Sequence, residues 1–312
     1  MQQRSLFPYF VLAAGVLIVS VAAVMINGAI ELGAHPLTIA AGRLTFATLI
    51  LTPIAWGRFN AELRHVARRD WLWGLAAGGF LAVHFAAWIT SLAYTSVASS
   101  TALVTTNPIF VALASWLIFR ERLGWGVWLG VLLTVCGSTV IGLSDSEGGS
   151  GSNPLLGDIL ALIGAVCASG YFLVGRDLRT RLSIVPYIWL VYSTSAVVLL
   201  VWMALAGQSL LGLSPQVYLL LLGLAIGPQL LGHTAFNWAI KYLSATFVTV
   251  SILGEPIGSA IFALWLLPDQ SLKPLQLVGG AILLVGIAVT TLAERHVQPA
   301  AEALEAEGAV AP

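Results

Sequence analysis

The sequence predicts an all-α membrane protein of ten transmembrane helices, built as two five-helix inverted repeats. Three observations lead there. The chain is 58% hydrophobic, only 9% charged and neutral overall, too little charge to cover a soluble surface of this size. Ten apolar runs of about twenty residues can be drawn along it, the length that crosses a bilayer. One skeleton of residues also occurs twice. Gly74, Gly78 and His84 recur as Gly223, Gly227 and His233, Tyr94 and Pro108 as Tyr242 and Pro256, and Gly130 and Gly137 as Gly279 and Gly286, always 148 or 149 residues later.

The apolar runs cover 7–27, 36–56, 71–93, 97–119, 124–143, 155–175, 185–205, 216–237, 245–267 and 273–293. The first is too long for a signal-peptide core and lacks a clear small-residue cleavage site, so it reads as a retained span. Short connections such as Thr95-Ser96 and Ser244 leave only tight turns between neighbours. With the N-terminus placed in the cytoplasm, the alternate loops collect Arg58, Arg64, Arg68, Arg69, Arg120, Arg122, Arg176, Arg179, Arg181, Lys241 and Arg295, with Arg4 in the leader. That puts twelve of fourteen basic residues inside, Lys273 outside and Arg43 within a span. The bias predicts a multi-pass protein with both termini cytoplasmic. Trp56, Trp71, Trp73 and Trp125 stand at span ends beside these loops, where indoles anchor at the interface.

The segment 144–154, SDSEGGSGSNP, is a polar linker. It separates a first repeat, 1–143, from a second, 155–293, and leaves 294–312 as an Ala/Glu/Pro-rich tail expected to be disordered. Five spans per half force the second copy to enter the bilayer upside down relative to the first. In that arrangement a site sits near the midplane between the halves, and rocking exposes it to either side. Small-xxx-small pairs, Gly74/Gly78, Gly126/Gly130, Gly223/Gly227 and Gly254/Gly258, allow close helix approach.

Composition also excludes function classes. No basic stripe exists to neutralise phosphates, so nucleic acid is not an expected partner. Cys136 and Cys167 lie inside apolar runs without metal-ligand spacing and read as buried hydrophobes. No nucleotide-binding glycine loop, paired carboxylates, His-rich motif or nucleophile elbow appears, so no cofactor, metal or catalytic set is expected. A polytopic membrane enzyme is the rival class, and it lacks clustered catalytic groups.

Polar residues inside apolar runs are the candidate site. Glu255 is the one carboxylate deep in a run. A charge there costs roughly 3 kcal/mol on insertion scales. It either faces a watery cavity, taking a substrate amine or a proton, or serves as a structural acid beside Pro256. Asn107, before Pro108, is its neutral counterpart. Arg43 either snorkels, caps a helix end, meets a substrate carboxylate or pairs with Glu255. His84 with Trp88, and His233 with Asn237, each share a helix face at i,i+4, offering imidazole, indole and amide to a polar cavity or to packing. Tyr94 and Tyr242 close equivalent helices as interface anchors or gates.

Several elements together resemble the EamA type of the drug/metabolite transporter superfamily. They are Asn107-Pro108-Ile109-Phe110 followed by Phe119-Arg120-Glu121-Arg122-Leu123, Gly254-Glu255-Pro256-Ile257, His35-Pro36 with Arg43, and Gly157-Asp158. The likeness spans about 7–293. Arg120 stands where that family usually has Gly, and Pro268-Asp269-Gln270 replaces the second Gly-Glu turn. The resemblance implies a secondary, non-ATP transporter of the bacterial inner membrane. It implies export of amino acids, related small metabolites or drugs by alternating access, with a proton as candidate coupling ion and a monomer or homodimer as assembly. It also places Ser20 and Tyr171 on the pathway. A nucleotide-sugar carrier of the same superfamily is the alternative, and it would favour more basic cavity residues than Arg43 alone.

Overall fold

The computed structural model describes residues 6–95, 100, 103–144, 153–255, 257, 258, 262 and 274–308. The described residues form helices and turns. Six helices are long and apolar enough to cross a bilayer: Phe7–Glu31, Pro36–Arg58, Arg68–Ser91, Pro154–Leu178, Ile184–Leu205 and Pro215–Ala239. Shorter apolar helices, Asn107–Leu117, Trp125–Val140 and Leu277–Thr290, stand at expected spans. Of the ninth run the structure describes the helix Ala245–Ile252 and a few residues beyond it. Pro256, Pro268–Gln270 and most of the 144–154 linker lie outside the described residues.

Local sequence sets the helix ends. Pro36 opens its helix, where a missing N–H is harmless, and the His35 ring accepts from the Leu37 amide at 3.2 Å. Ser214 and Ser244 cap the helices that follow them, accepting from Val217 and Phe247. The first span bends at Ser20, whose hydroxyl donates to the Val16 carbonyl at 2.8 Å and competes with the helix ladder. The last helix runs Pro274–Gly308 and includes the stretch after 293. Alanine and glutamate are strong helix formers, and they dominate that stretch.

Many large apolar side chains point outward. Leu205 and Leu211 are 80% and 84% exposed, while small residues such as Ala40, Ala41, Ala77 and Ala161 are fully buried. This distribution suits a lipid surround, which has no preference for burying leucine over exposing it. The protein is a multi-pass membrane protein.

The packing is symmetric under exchange of the two sequence repeats. Arg68–Ser91 lies along Pro154–Leu178, and its counterpart pairing sets Phe7–Val19 against the Pro215–Ala239 helix. Pro36–Arg58 meets its own counterpart Ile184–Leu205, as Asn107–Leu117 meets Ala245–Ile252 and Trp125–Ser144 meets Pro274–Gly308. Loop contacts sort into two ends. Thr95 donates to Asp158 at 3.0 Å and the Tyr94 carbonyl accepts from Asn153. Glu121 pairs with Arg176. Asp158 and Arg176 are about 27 Å apart along one helix, so the chain passes from one end of the bundle to the other between Thr95 and Glu121.

Candidate functional site

Both halves break a helix at the same place. Pro108 lacks an amide hydrogen, and the chain before Asn107 tightens into i→i+3 bonds, Thr106 N to Leu103 O at 3.1 Å. Before Glu255 the same tightening appears, Leu253 N to Val250 O at 3.2 Å and Gly254 N to Ser251 O at 3.0 Å. Asn107 and Glu255 thereby both line one cavity of about 60 Å³.

Arg43, His84, Trp88, Asn107, His233 and Glu255 all line this cavity, beside Phe85 and Phe172. They come from both repeats. The His84 Nδ1–H donates to the Gly164 carbonyl at 2.9 Å, which fixes the tautomer. Trp88 stacks on His84 with ring centres 6.0 Å apart, as the i,i+4 spacing led one to expect. Arg43 is 1% exposed. Its Nη2 donates to Gln229 Oε1 at 2.8 Å, and its guanidinium carbon stands 4.2 Å above the Phe85 ring centre. Arg43 and Glu255 face the same space, and among the described residues no ion pair joins them.

Five sequence candidates stand elsewhere. Ser20 is turned into its own helix, against Gly258. Asn237 lies behind His233, donating to its carbonyl at 2.7 Å and to the Tyr171 hydroxyl. Asn237 and Tyr171 therefore brace the cavity wall from outside. Tyr94 is half-buried at a helix end, and Tyr242 is 51% exposed against Trp238. Both sit at bundle ends, as interfacial tyrosines do, and neither reaches the cavity.

Sequence reading missed Gln229 and Arg179. Gln229 is fully buried in a π-helical segment, Ala225–His233, that contains Pro228. π turns inside helices often mark functional positions, and an amide beside Pro in an apolar run was the available signal. Arg43 and Tyr192 occupy equivalent places 149 residues apart, and both converge on Gln229, the tyrosine hydroxyl donating to its carbonyl at 3.4 Å. Arg179, assigned to a loop by its spacing, is 2% exposed. It donates to the Asn237 carbonyl at 3.0 Å and to the Leu182 carbonyl, satisfying helix-end acceptors.

A polar clasp closes the end of the bundle that carries Arg179. Arg181 binds Asp70 at 3.0 Å and Asp177 at 2.6 Å, and these partners, Asp177 foremost, raise it above the usual arginine range. Glu62 accepts from the Ser183 amide at 2.7 Å. Trp189 donates to Thr52 and takes Trp56 and Trp71 edge-on.

The model of the EamA-like transporter family matches residues 6–143 and again 155–292. The chain is 24% identical, over 69% of each sequence, to an uncharacterized transporter of Bacillus subtilis (strain 168). It is 25% identical to one of Synechocystis sp. over 75% of this chain and 70% of that one. It is 24% identical to one of Archaeoglobus fulgidus over 84% and 89%. A crystal structure at 21% identity superposes with a TM-score of 0.75, covering 93% of this chain and 98% of its own, which shows a shared fold.

Proposed function

The chain belongs to the EamA-like transporter family, and from that premise we propose that it is a secondary transporter moving small organic metabolites by alternating access. In this reading ten spans form two inverted five-helix repeats, and the central cavity is the substrate site. The direction is outward across a bacterial inner membrane, with both termini cytoplasmic, and the cargo is an amino acid, a related metabolite or a drug. Glu255 carries the coupling proton.

One observation supports this reading most: a single cavity is lined by polar residues of both repeats. Rocking one repeat against the other would change access to such a site without rebuilding it. Energetically, directional transport needs a ligand or proton that binds the two access states differently. Glu255 is the ionisable carboxyl group on this cavity.

Counterflow in proteoliposomes tests the proposal. Vesicles loaded with unlabelled amino acids or metabolites should accumulate the matching radiolabelled compound, and empty-protein vesicles should not. Failure with every compound, in several lipid mixtures, would overturn the transport reading.

A further inference from the structure

Arg43 has more hydrogen-bonding capacity than its surroundings use. A guanidinium carries five N–H donors and stays charged. Buried at 1% exposure in a membrane helix, it donates to one neutral amide oxygen and rests on one aromatic face. Its Nε and Nη1 find no partner among the described residues. Buried polar groups are otherwise paired in folded proteins, and an uncompensated intramembrane cation is costly. His233, on the same cavity, also keeps an unpartnered Nδ1. Two guanidinium nitrogens and an imidazole nitrogen thus stand unpartnered around one space.

Gln229 explains why the guanidinium is held out instead of collapsing onto a carboxylate. Its side-chain oxygen takes Nη2, and its backbone carbonyl takes Tyr192. The amide is neutral, so it orients Arg43 without cancelling its charge. A planar cation with spare donors in a buried site suits a planar anion.

We propose that Arg43, oriented by Gln229, is the seat for a carboxylate group of the transported molecule, so that the cargo is an organic acid or zwitterion. This rests on the transport reading of the cavity. Gln229 acts as a positioning residue. Phe85, Phe172 and Ile252 line the remaining wall and suit an apolar body attached to that carboxylate. Glu255 shares the cavity and offers an acceptor for an ammonium group, which separates zwitterions from simple acids.

The test uses the full chain purified in detergent. Matched pairs of a carboxylate and its primary amide are added, and the shift in thermal unfolding midpoint is followed against concentration. The pairs are leucine and leucinamide, isocaproate and isocaproamide, phenylacetate and phenylacetamide, and glutamine and its α-amide. At least one acid should bind about 10-fold or more tightly than its amide, the scale of a charge-assisted hydrogen bond. Gln229→Leu should narrow that ratio, and Gln229→Glu, which supplies Arg43 with an internal carboxylate, should abolish acid binding while the protein stays folded. A purely structural glutamine would alter the midpoint without moving the acid-to-amide ratio. Equal binding of acids and amides, or no binding by any acid, overturns the seat. Counterflow of amides or amines without acids overturns the seat and leaves transport standing. Binding of acids with no counterflow of any compound leaves the seat and overturns transport.

Discussion

Gly137 lies directly against the backbone of Gly279: a Cβ built on Gly137 would stand 2.6 Å from the Gly279 carbonyl oxygen. Gly130 meets Gly286 in the same way, at 2.9 Å. Gly279 and Gly286 are the repeat equivalents of Gly130 and Gly137, so each glycine of one half touches the non-equivalent glycine of the other. That crossing is what a two-fold axis between two antiparallel helices produces. Gly137→Ala should therefore force backbone apart, at a cost of about 1–3 kcal/mol. Gly79→Ala is the control. Its Cβ would meet nothing within 4 Å, and helix propensity alone should make it neutral or stabilising by up to about 1 kcal/mol. Unfolding midpoints of the two variants in detergent check the contrast, and equal losses would refute the glycine contact.

Arg120 is the one non-glycine residue with positive φ among the described residues, at 54°. It follows the Asn107–Leu117 helix, where Glu121 N reaches back to Ser115 O at 3.0 Å, a left-handed helix stop that favours Gly. Arg120→Gly should stabilise the protein by about 1 kcal/mol, the steric cost of that conformation for an L side chain. A lower midpoint would show that the Arg120 side chain contributes more than its backbone strain takes away.

Thr95 and Glu121 belong to opposite ends of the bundle. Single cysteines at Ala93, an exposed neighbour of Thr95, and at Glu121, in a chain lacking Cys136 and Cys167, should react with a membrane-impermeant thiol reagent from opposite sides. The basic-loop bias puts Glu121 inside. Labelling of both positions from one side would remove the crossing between them.

Glu255→Gln separates coupling from binding. If Glu255 carries the proton, the variant should retain counterflow, which needs no gradient, and lose its response to an imposed pH difference. Unchanged pH-driven transport by well-inserted Glu255→Gln protein would assign the coupling to another group.

The all-helical, two-repeat layout was legible because lipid leaves few options. Span length, basic loops and the Gly/His/Tyr/Pro skeleton all register the bilayer directly in the sequence. The site was legible where a polar residue interrupts an apolar run, hence Arg43, His84, Trp88, Asn107, His233 and Glu255 on one cavity. Rotation about the helix axis was not legible. Asn237 shares a face with His233 in sequence, yet its bond to Tyr171 puts it behind the cavity wall. Arg179 sits among exposed loop arginines, and nothing in its spacing distinguishes the one that turns inward to the Asn237 carbonyl. The resemblance at Arg120 carried unexpected weight, because the place usually held by Gly proved to be the place with positive φ.

The π-helical segment Ala225–His233 has a consequence for how the halves correspond. A π turn closes i→i+5, so it holds one residue more than the α turn it replaces. Relative to an uninterrupted helix, everything after His233 is out of phase by about 100°, the rotation of one α-helical residue. Asn237 and Trp88 thus hold matching places in the sequence but different azimuths, the indole on the cavity and the amide behind it. Gly223, Gly227 and His233 keep the 149-residue offset of Gly74, Gly78 and His84 across this segment, so a wider turn, with no residue added, is enough to give two copies of one helix different faces.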